Sequence, residues 1–259
     1  MYLPRLLAET FVAAVEHHRA LGSTNDRARQ IDAAGLGPVP ALILAAHQTS
    51  GRGRGTRRWW TGAGALAFSL LFDVRTVAIG PRQSTLLGLA AALAVAEAVE
   101  PLLPGRAVGL HWPNDVVVGE RKLSGVLVER LPSGRHVVGV GVNTNNAATD
   151  APAEIRHRVA TLRDLTGRTA EPTALMTEIL RQLESALRLL AFRPQALAER
   201  AGQVCLQRDR RLAVRQGQSL IEGLCMGIGP DGALLLMTES GPRAVHSGSV
   251  APVVRGGAA

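Results

Sequence analysis

The chain has 259 residues, room for one large domain or one domain plus a small appendage, and its 46% hydrophobic and 19% charged content excludes a disordered protein. A net charge of +8, from 29 Lys+Arg against 21 Asp+Glu, points to an anionic partner such as a nucleotide, a nucleic acid or an acidic protein surface without choosing among them. Two cysteines, Cys205 and Cys225, are too few for a disulfide framework or a structural zinc site, and they read as small buried hydrophobes.

In chain order, Pro4, Arg5 and Glu9 come first, with no apolar segment of the kind a secretory signal needs. A helix is predicted from Asn25 to Ala34, with Ser23 and Thr24 as caps and Gly35 closing it. An apolar strand, Ala41 to Ala46, runs into a Gly/Arg segment, and Ala65 to Phe72 reads as a second buried strand. Ser84 opens a helix of small apolar residues that stops before Pro101; its all-round apolar character predicts cover on most sides. The apolar run Leu86 to Val99 is shorter than the roughly 20 residues of a membrane span, so a cytoplasmic protein without membrane contact is expected. Strands follow at Leu110 to Val118, Lys122 to Leu131 and His136 to Val142, then a helix from about Ala174 to Leu190 with Leu175, Ile179, Leu183 and Leu187 on one stripe. Near Ala201 the texture changes to short alternating strands, Arg211 to Val214, Ser219 to Ile228 and Ala233 to Met237, with a turn at residues 229–232. The expected division is 1–200 and 201–259, the second part a small all-β domain.

Three segments carry chemical potential. The first is Gly51-Arg52-Gly53-Arg54-Gly55-Thr56-Arg57-Arg58-Trp59-Trp60. Its glycines let backbone approach a ligand, and its arginines repel one another unless an anion gathers them. It lacks the Lys-Ser/Thr ending of a P-loop. The second joins His111-Trp112-Pro113-Asn114-Asp115 to Arg121-Lys122-Leu123-Ser124-Gly125 through the pair Gly119-Glu120, suited to a type II′ hairpin. That hairpin pairs Val118 with Arg121, Val117 with Lys122 and Asp115 with Ser124, leaving Asp115 and Lys122 diagonal on one face, roughly 7–8 Å apart. A carboxylate and an ammonium so placed suit a nucleotide phosphate and its metal. In the third, Val138-Gly139-Val140-Gly141-Val142-Asn143, glycines inside a strand imply that something approaches closely. The histidines show no metal-ligand spacing, and no Gly-x-Ser-x-Gly elbow occurs.

Taken in order, these segments resemble the biotin protein ligase family from about Gly22 to Val250. The matching residues are Ser-Thr-Asn at 23–25, Gln48 with Gly-Arg-Gly-Arg at 51–54, Trp-Pro-Asn-Asp at 112–115, Lys-Leu-Ser-Gly at 122–125, Gly-Val-Gly-Val-Asn at 139–143 and Gly-Ala-Leu-Leu-Leu at 232–236. The resemblance implies an α+β fold: a mixed β-sheet flanked by helices, like the catalytic domain of class II aminoacyl-tRNA synthetases, followed by a small SH3-type β-barrel. It implies ATP-dependent activation of biotin to biotinyl-AMP and transfer to a lysine of a biotin carboxyl carrier protein. The implied biotin-binding residues are Ser23, Thr24, Asn25, Gln48, Gly51, Arg52, Gly53, Arg54, Lys122 and Gly125, with Lys122, Arg52 and Arg54 catalytic. Arg57, Trp59, Asn114, Asp115 and Asn143 would position ATP, and Asp115 would serve Mg²⁺ carried on the ATP phosphates. His111 stands where the family usually carries a longer basic residue, and Gly55-Thr56 where a third consecutive basic residue is common. About twenty residues precede Ser23, too few for the helix-turn-helix domain of some relatives, so the expected type is monofunctional, without operator binding. A monomer and a homodimer both stay open.

The alternative within the fold is a lipoate or octanoate ligase or transferase. A different class, nucleic-acid binding through the Arg-rich loop and the barrel, wants aromatic platforms, and the chain has only 3 Trp, 1 Tyr and 4 Phe. A carrier-binding module without catalysis is the third reading; the full set of charged site residues opposes it.

Overall fold

A computed structural model describes residues 1–253; the last six positions of the expected 201–259 unit lie outside the described residues. The elements run α1 (Leu3–Glu9), β1 (Ala14–His18), α2 (Thr24–Ala33), β2 (Ala41–Ala45), β3 (Leu66–Phe72), α3 (Pro81–Ser84), α4 (Leu87–Val99), β4 (Val108–His111), β5 (Asp115–Val118), β6 (Arg121–Arg130) and β7 (His136–Val142). After these come α5 (Ala153–Arg156), α6 (Leu162–Thr166), α7 (Pro172–Phe192) and α8 (Pro194–Gln203). The chain ends in β8 (Arg211–Gln216), β9 (Ser219–Ile228), β10 (Leu234–Thr238), β11 (Gly241–Val245) and β12 (Ser249–Pro252).

Strands β1 to β7 form one mixed sheet, ordered β1-β2-β3-β7-β6-β5-β4, in which only β1 and β2 pair in parallel. Strands β2, β3 and β7 are buried on both faces, which explains their continuous apolar sequences. Alternate residues divide between two cores. Leu42, Leu44, Phe68, Leu70, Val138 and Val140 face α4 and α7, whereas Ile43, Leu71 and Val137 pack with Ala28 and Ile31 of α2. Helix α4 is apolar all round because α7, α8 and the sheet enclose it. The remaining strands make the small SH3-type unit, an antiparallel sheet ordered β11-β10-β9-β8-β12. It docks through Trp112, whose ring Nε1 donates to the Gly232 carbonyl at 2.9 Å in the predicted 229–232 turn.

Several expectations are corrected. Ser23 makes no side-chain cap bond to α2, and Thr24 lies inside the helix with its hydroxyl committed elsewhere. Ser84 ends the short α3 and does not open the predicted helix, which starts as α4 at Leu87. The predicted strand Leu110–Val118 is an antiparallel pair, β4 and β5, because Pro113 cannot donate to a ladder and the chain turns there. Helix α8 crosses the expected 200/201 division, and β1 and α1 are elements the sequence reading missed. Cys205 and Cys225 are buried free thiols, as expected.

His111 on β4 and His136 on β7 each bury one ring nitrogen without a partner, Nε2 and Nδ1 respectively. Burial is the main force holding both imidazoles below the ordinary pKa of 6.5. The folded chain therefore binds fewer protons than the unfolded chain as pH falls through about 6.5, so stability is full above that pH and declines below it. Thermal unfolding from pH 7.5 to 5.5 should show this decline, and the double variant His111→Gln/His136→Gln should flatten it. An unchanged slope would mean that other groups control the acid limb.

Candidate active site

The face of the large sheet beneath α2 carries the site. Register aligns Ser69, Gly139 and Leu127 in one row and Ala67, Gly141 and Gly125 in the next. Helix α2 delivers Ser23, Thr24 and Asn25 from its start, and together with residues 48–59 these line a cleft of about 100 Å³, open to solvent on one side.

The glycine-rich strand explains itself here. A Cβ at Gly139 would overlap the Asn25 carboxamide, and one at Gly141 would overlap the Trp59 ring. The close approach inferred from sequence is therefore made by these two side chains. Gly125 performs the same service for Lys122, whose Nζ would lie 3.0 Å from a Cβ there.

Lys122 owes its direction to a β-bulge. The expected pairing of Val118 with Arg121 and Val117 with Lys122 is present, but Val116 then pairs with Ser124 and Asp115 with Gly125, not with Ser124. The extra residue, Leu123, turns into the core, and Lys122 comes onto the same face as Gly125, which a regular period of two would forbid. Asp115 and Lys122 consequently form a direct ion pair, Nζ to Oδ1 at 2.7 Å, in place of the predicted 7–8 Å diagonal. The ammonium also sits 5.8 Å from the Trp59 ring centroid, a cation–π distance. Segment 158–160 secures the Lys122 backbone, with Lys122 N donating to the Arg158 carbonyl at 2.7 Å and Ala160 N donating to the Lys122 carbonyl at 2.9 Å.

The polar floor is one hydrogen-bonded chain. Gln48 Oε1 accepts from Thr24 N at 2.9 Å and from Thr24 Oγ1 at 3.2 Å. Ser69 Oγ lies 2.7 Å from Thr24 Oγ1 and donates to Asn25 Oδ1 at 2.6 Å. Asn25 Nδ2 donates to Glu129 Oε2 at 2.7 Å. Leu127 and the Trp59 ring add apolar lining.

The Gly/Arg loop folds back on itself, Gly53 N donating to the Arg57 carbonyl at 2.8 Å and Trp59 N to the Gly51 carbonyl at 2.9 Å. Its arginines differ. Arg52 lines the cleft, but its fork is held by Asp26 at 2.9 Å and Glu129 at 3.1 Å. Arg54 meets only neutral oxygens, Asn114 Oδ1 and the Gly248 carbonyl, each at 3.4 Å. Burial first, and then the neighbouring Arg57 charge, lowers the Arg54 pKa below the ordinary arginine value, although it remains a cation. Arg57 donates to Ser249 Oγ of the small unit at 2.8 Å.

Of the sequence-predicted residues, Ser23, Thr24, Asn25, Gln48, Arg52, Gly53, Arg54, Lys122 and Gly125 line the cleft, as do Arg57, Trp59, Asn114 and Asp115. Gly51 lies behind it, where a Cβ would come within 2.5 Å of the Trp59 carbonyl. Asn143 does not reach it: its buried amide donates to the Lys122 carbonyl at 3.4 Å and accepts from Asn146 at 3.1 Å. Trp59 lies across Gly141 and against Lys122, on the pocket side of the loop. Sequence reasoning missed Ser69, Asp26 and Glu129. Ser69 had a readable signal, a hydroxyl in the middle of an otherwise apolar strand.

Among the described residues no group of three or more His, Cys, Asp or Glu side chains could hold a metal. Asp115 is the carboxylate on the cleft wall, and its Oδ1 is engaged by Lys122. This fits Mg²⁺ bound chiefly by phosphate oxygens and water with one protein carboxylate. No helix among the described residues is long and apolar enough to cross a membrane.

The chain is similar in sequence and fold to known proteins. The profile of the biotin/lipoate A/B protein ligase family matches residues 21–145. The biotin–[acetyl-CoA-carboxylase] ligase of Mycobacterium tuberculosis is 34% identical over 235 residues, covering 88% of this chain and 85% of that protein. The enzyme of the same name from Paracoccus denitrificans is 29% identical over 221 residues, covering 81% of this chain and 89% of its own. Among solved structures, the biotin protein ligase of Aquifex aeolicus in complex with biotin and ATP superposes with a TM-score of 0.82 at 27% identity, over 93% of this chain and 100% of that one. With 34% identity to one ligase over most of both chains and a fold that superposes on a second, the chain belongs to the biotin protein ligase family.

Proposed function

We propose that this chain activates biotin with ATP to biotinyl-5′-AMP and transfers the biotinyl group to a lysine of a biotin carboxyl carrier protein. The observation that carries the reading is the meeting of Arg54, Arg57 and Lys122 at one cleft whose floor is a polar chain beside apolar lining. In the first step a biotin carboxylate oxygen attacks the α-phosphorus of ATP, and the bond to pyrophosphate breaks. Two anions must come together, and the three cations offset that repulsion and the charge developing on the phosphorus oxygens. Mg²⁺ brought with ATP would add neutralisation at the phosphates, and Asp115 and Asn114 are the cleft residues that would hold it. Ser23, Thr24 and Gln48 offer the polar groups that bind the ureido ring.

In the second step the carrier's neutral lysine amine attacks the acyl carbon, AMP leaves and the nitrogen loses a proton. Lys122 then steadies the carbonyl oxygen. It is no covalent nucleophile, because a biotin amide on Lys122 would be a dead end. The two-unit organisation belongs to this proposal, with the boundary placed after α8 at Gln203 and not at 200/201. Arg57 and Ser249 bring the second unit to the rim of the cleft.

The family profile spans biotin and lipoate enzymes, but the near-full-length relatives carry biotin ligase names, which favours biotin over the lipoate or octanoate reading. Calorimetric titration with biotin, with and without ATP and Mg²⁺, should give binding and pyrophosphate release. Mass spectrometry of a carrier domain should then show one added biotinyl group. Modification by octanoate and not by biotin would refute the assignment.

A further inference from the structure

The pocket floor and the Gly/Arg loop are joined by a side chain outside every motif described so far. We propose that Glu129 is a positioning residue, coupling the floor of the cleft to the closed loop by holding Asn25 through one carboxylate oxygen and Arg52 through the other. This rests on the reading of the cleft as the adenylation site.

Glu129 stands near the end of β6, with its side chain 17% exposed. Its Oε2 accepts from Asn25 Nδ2 at 2.7 Å, and its Oε1 accepts from Arg52 Nη2 at 3.1 Å and pairs with Arg29 as well. Asp26 Oδ1 closes the ring, taking Arg52 Nη1 at 2.9 Å and Arg29 Nη1 at 3.0 Å. Two acids and two arginines alternate, and their charges cancel. Arg52 is thus a fastening for the loop, and the anion is left to Arg54, Arg57 and Lys122. Asp26 cannot play the same part, because it is 43% exposed and bonds only arginines. Glu129 alone also reaches Asn25, and from there the Ser69–Thr24–Gln48 chain under the cleft. An occupant that bonds Thr24 or Gln48 therefore stiffens the support of Arg52. Charge-assisted bonds to a mostly buried carboxylate hold more firmly than exposed ion pairs.

The test uses two variants, with melting temperature, biotin KM for pyrophosphate release and free biotinyl-AMP per biotin transferred as readouts. Glu129→Gln keeps an oxygen for Asn25 but loses the charge that holds Arg52. It should keep biotin KM within about twofold of the parent while raising free biotinyl-AMP about tenfold, the loss expected for a charge-assisted bond. Glu129→Ala loses both contacts and should raise both quantities. A Gln variant that retains its adenylate as the parent does would overturn the coupling. So would one whose KM rises in step with the leak, since that marks a general loss of structure. If the Ala variant does not fold, the Gln variant decides alone. A parent that makes no biotinyl-AMP removes the adenylation reading and this inference with it, whereas a working parent with a retentive Gln variant removes the inference only.

Discussion

Lys122→Ala is expected to fold as the parent does and to form biotinyl-AMP about 10²–10³ times more slowly, the usual consequence of deleting one preorganised charge-stabilising donor. The fold is spared because the side chain contributes little to it. Its ion pair with Asp115 leaves the two side chains 38% and 30% exposed, and pairs that exposed are worth about 0–1 kcal/mol. The bulge that aims Lys122 is held by backbone bonds to Arg158 and Ala160, which alanine keeps. What disappears is the cation proposed to lie between the two reactants, which sits near the Trp59 ring and pairs with Asp115. Asp115→Asn is the informative companion: it keeps the ammonium but removes the carboxylate assigned to ATP's Mg²⁺, so raising Mg²⁺ should restore its adenylation rate and should not restore that of Lys122→Ala. Pyrophosphate release at saturating biotin and ATP measures both variants. A normal rate for Lys122→Ala would take Lys122 out of the chemistry.

The parts of this molecule that could be read from the chain share a physical origin. Strands β3 and β7 are sandwiched between α2 and the α4/α7 layer, so burial wrote itself into unbroken apolar runs. Edge strand β1, Ala-Val-Glu-His-His, is only partly covered and carries no such pattern. The Lys122 hairpin was legible down to Gly119, which has φ +61° as the turn requires, yet the bulge at Leu123 was not. Nothing local marks a bulge at Lys122-Leu123-Ser124, where one apolar residue between two polar ones reads as regular strand alternation. The arginines show the same limit. Sequence presents Arg52 and Arg54 as equals two positions apart, but Asp26 and Glu129, which neutralise Arg52, are 26 and 77 residues away in the chain. Only the packing of α2 across β3 and β7, which brings Asp26 beside Glu129 of β6, decides which arginine is left without a carboxylate partner.

That difference makes Arg54 the loop residue with most to lose. Arg54→Gly should leave adenylation measurable while the product escapes, raising free biotinyl-AMP by roughly 10–150-fold, the equivalent of one lost charge-assisted bond of about 1.5–3 kcal/mol. Among the described residues Arg54 has no carboxylate partner, only the Asn114 and Gly248 oxygens at 3.4 Å. Burial and the adjacent Arg57 both penalise its charge. A cation in that state gains more from an incoming phosphate than Arg52 can, because Arg52 would have to break two ion pairs first. Glycine also loosens the loop backbone, so Arg54→Gln serves as the control that removes charge without adding freedom. If retention is electrostatic, the two variants leak alike; if it is stiffness, the Gln variant holds its adenylate and the charge argument fails. Rapid ultrafiltration of enzyme given biotin and ATP, with biotinyl-AMP quantified in the filtrate, separates these outcomes. Parental levels in both filtrates would mean that the loop does not retain the intermediate.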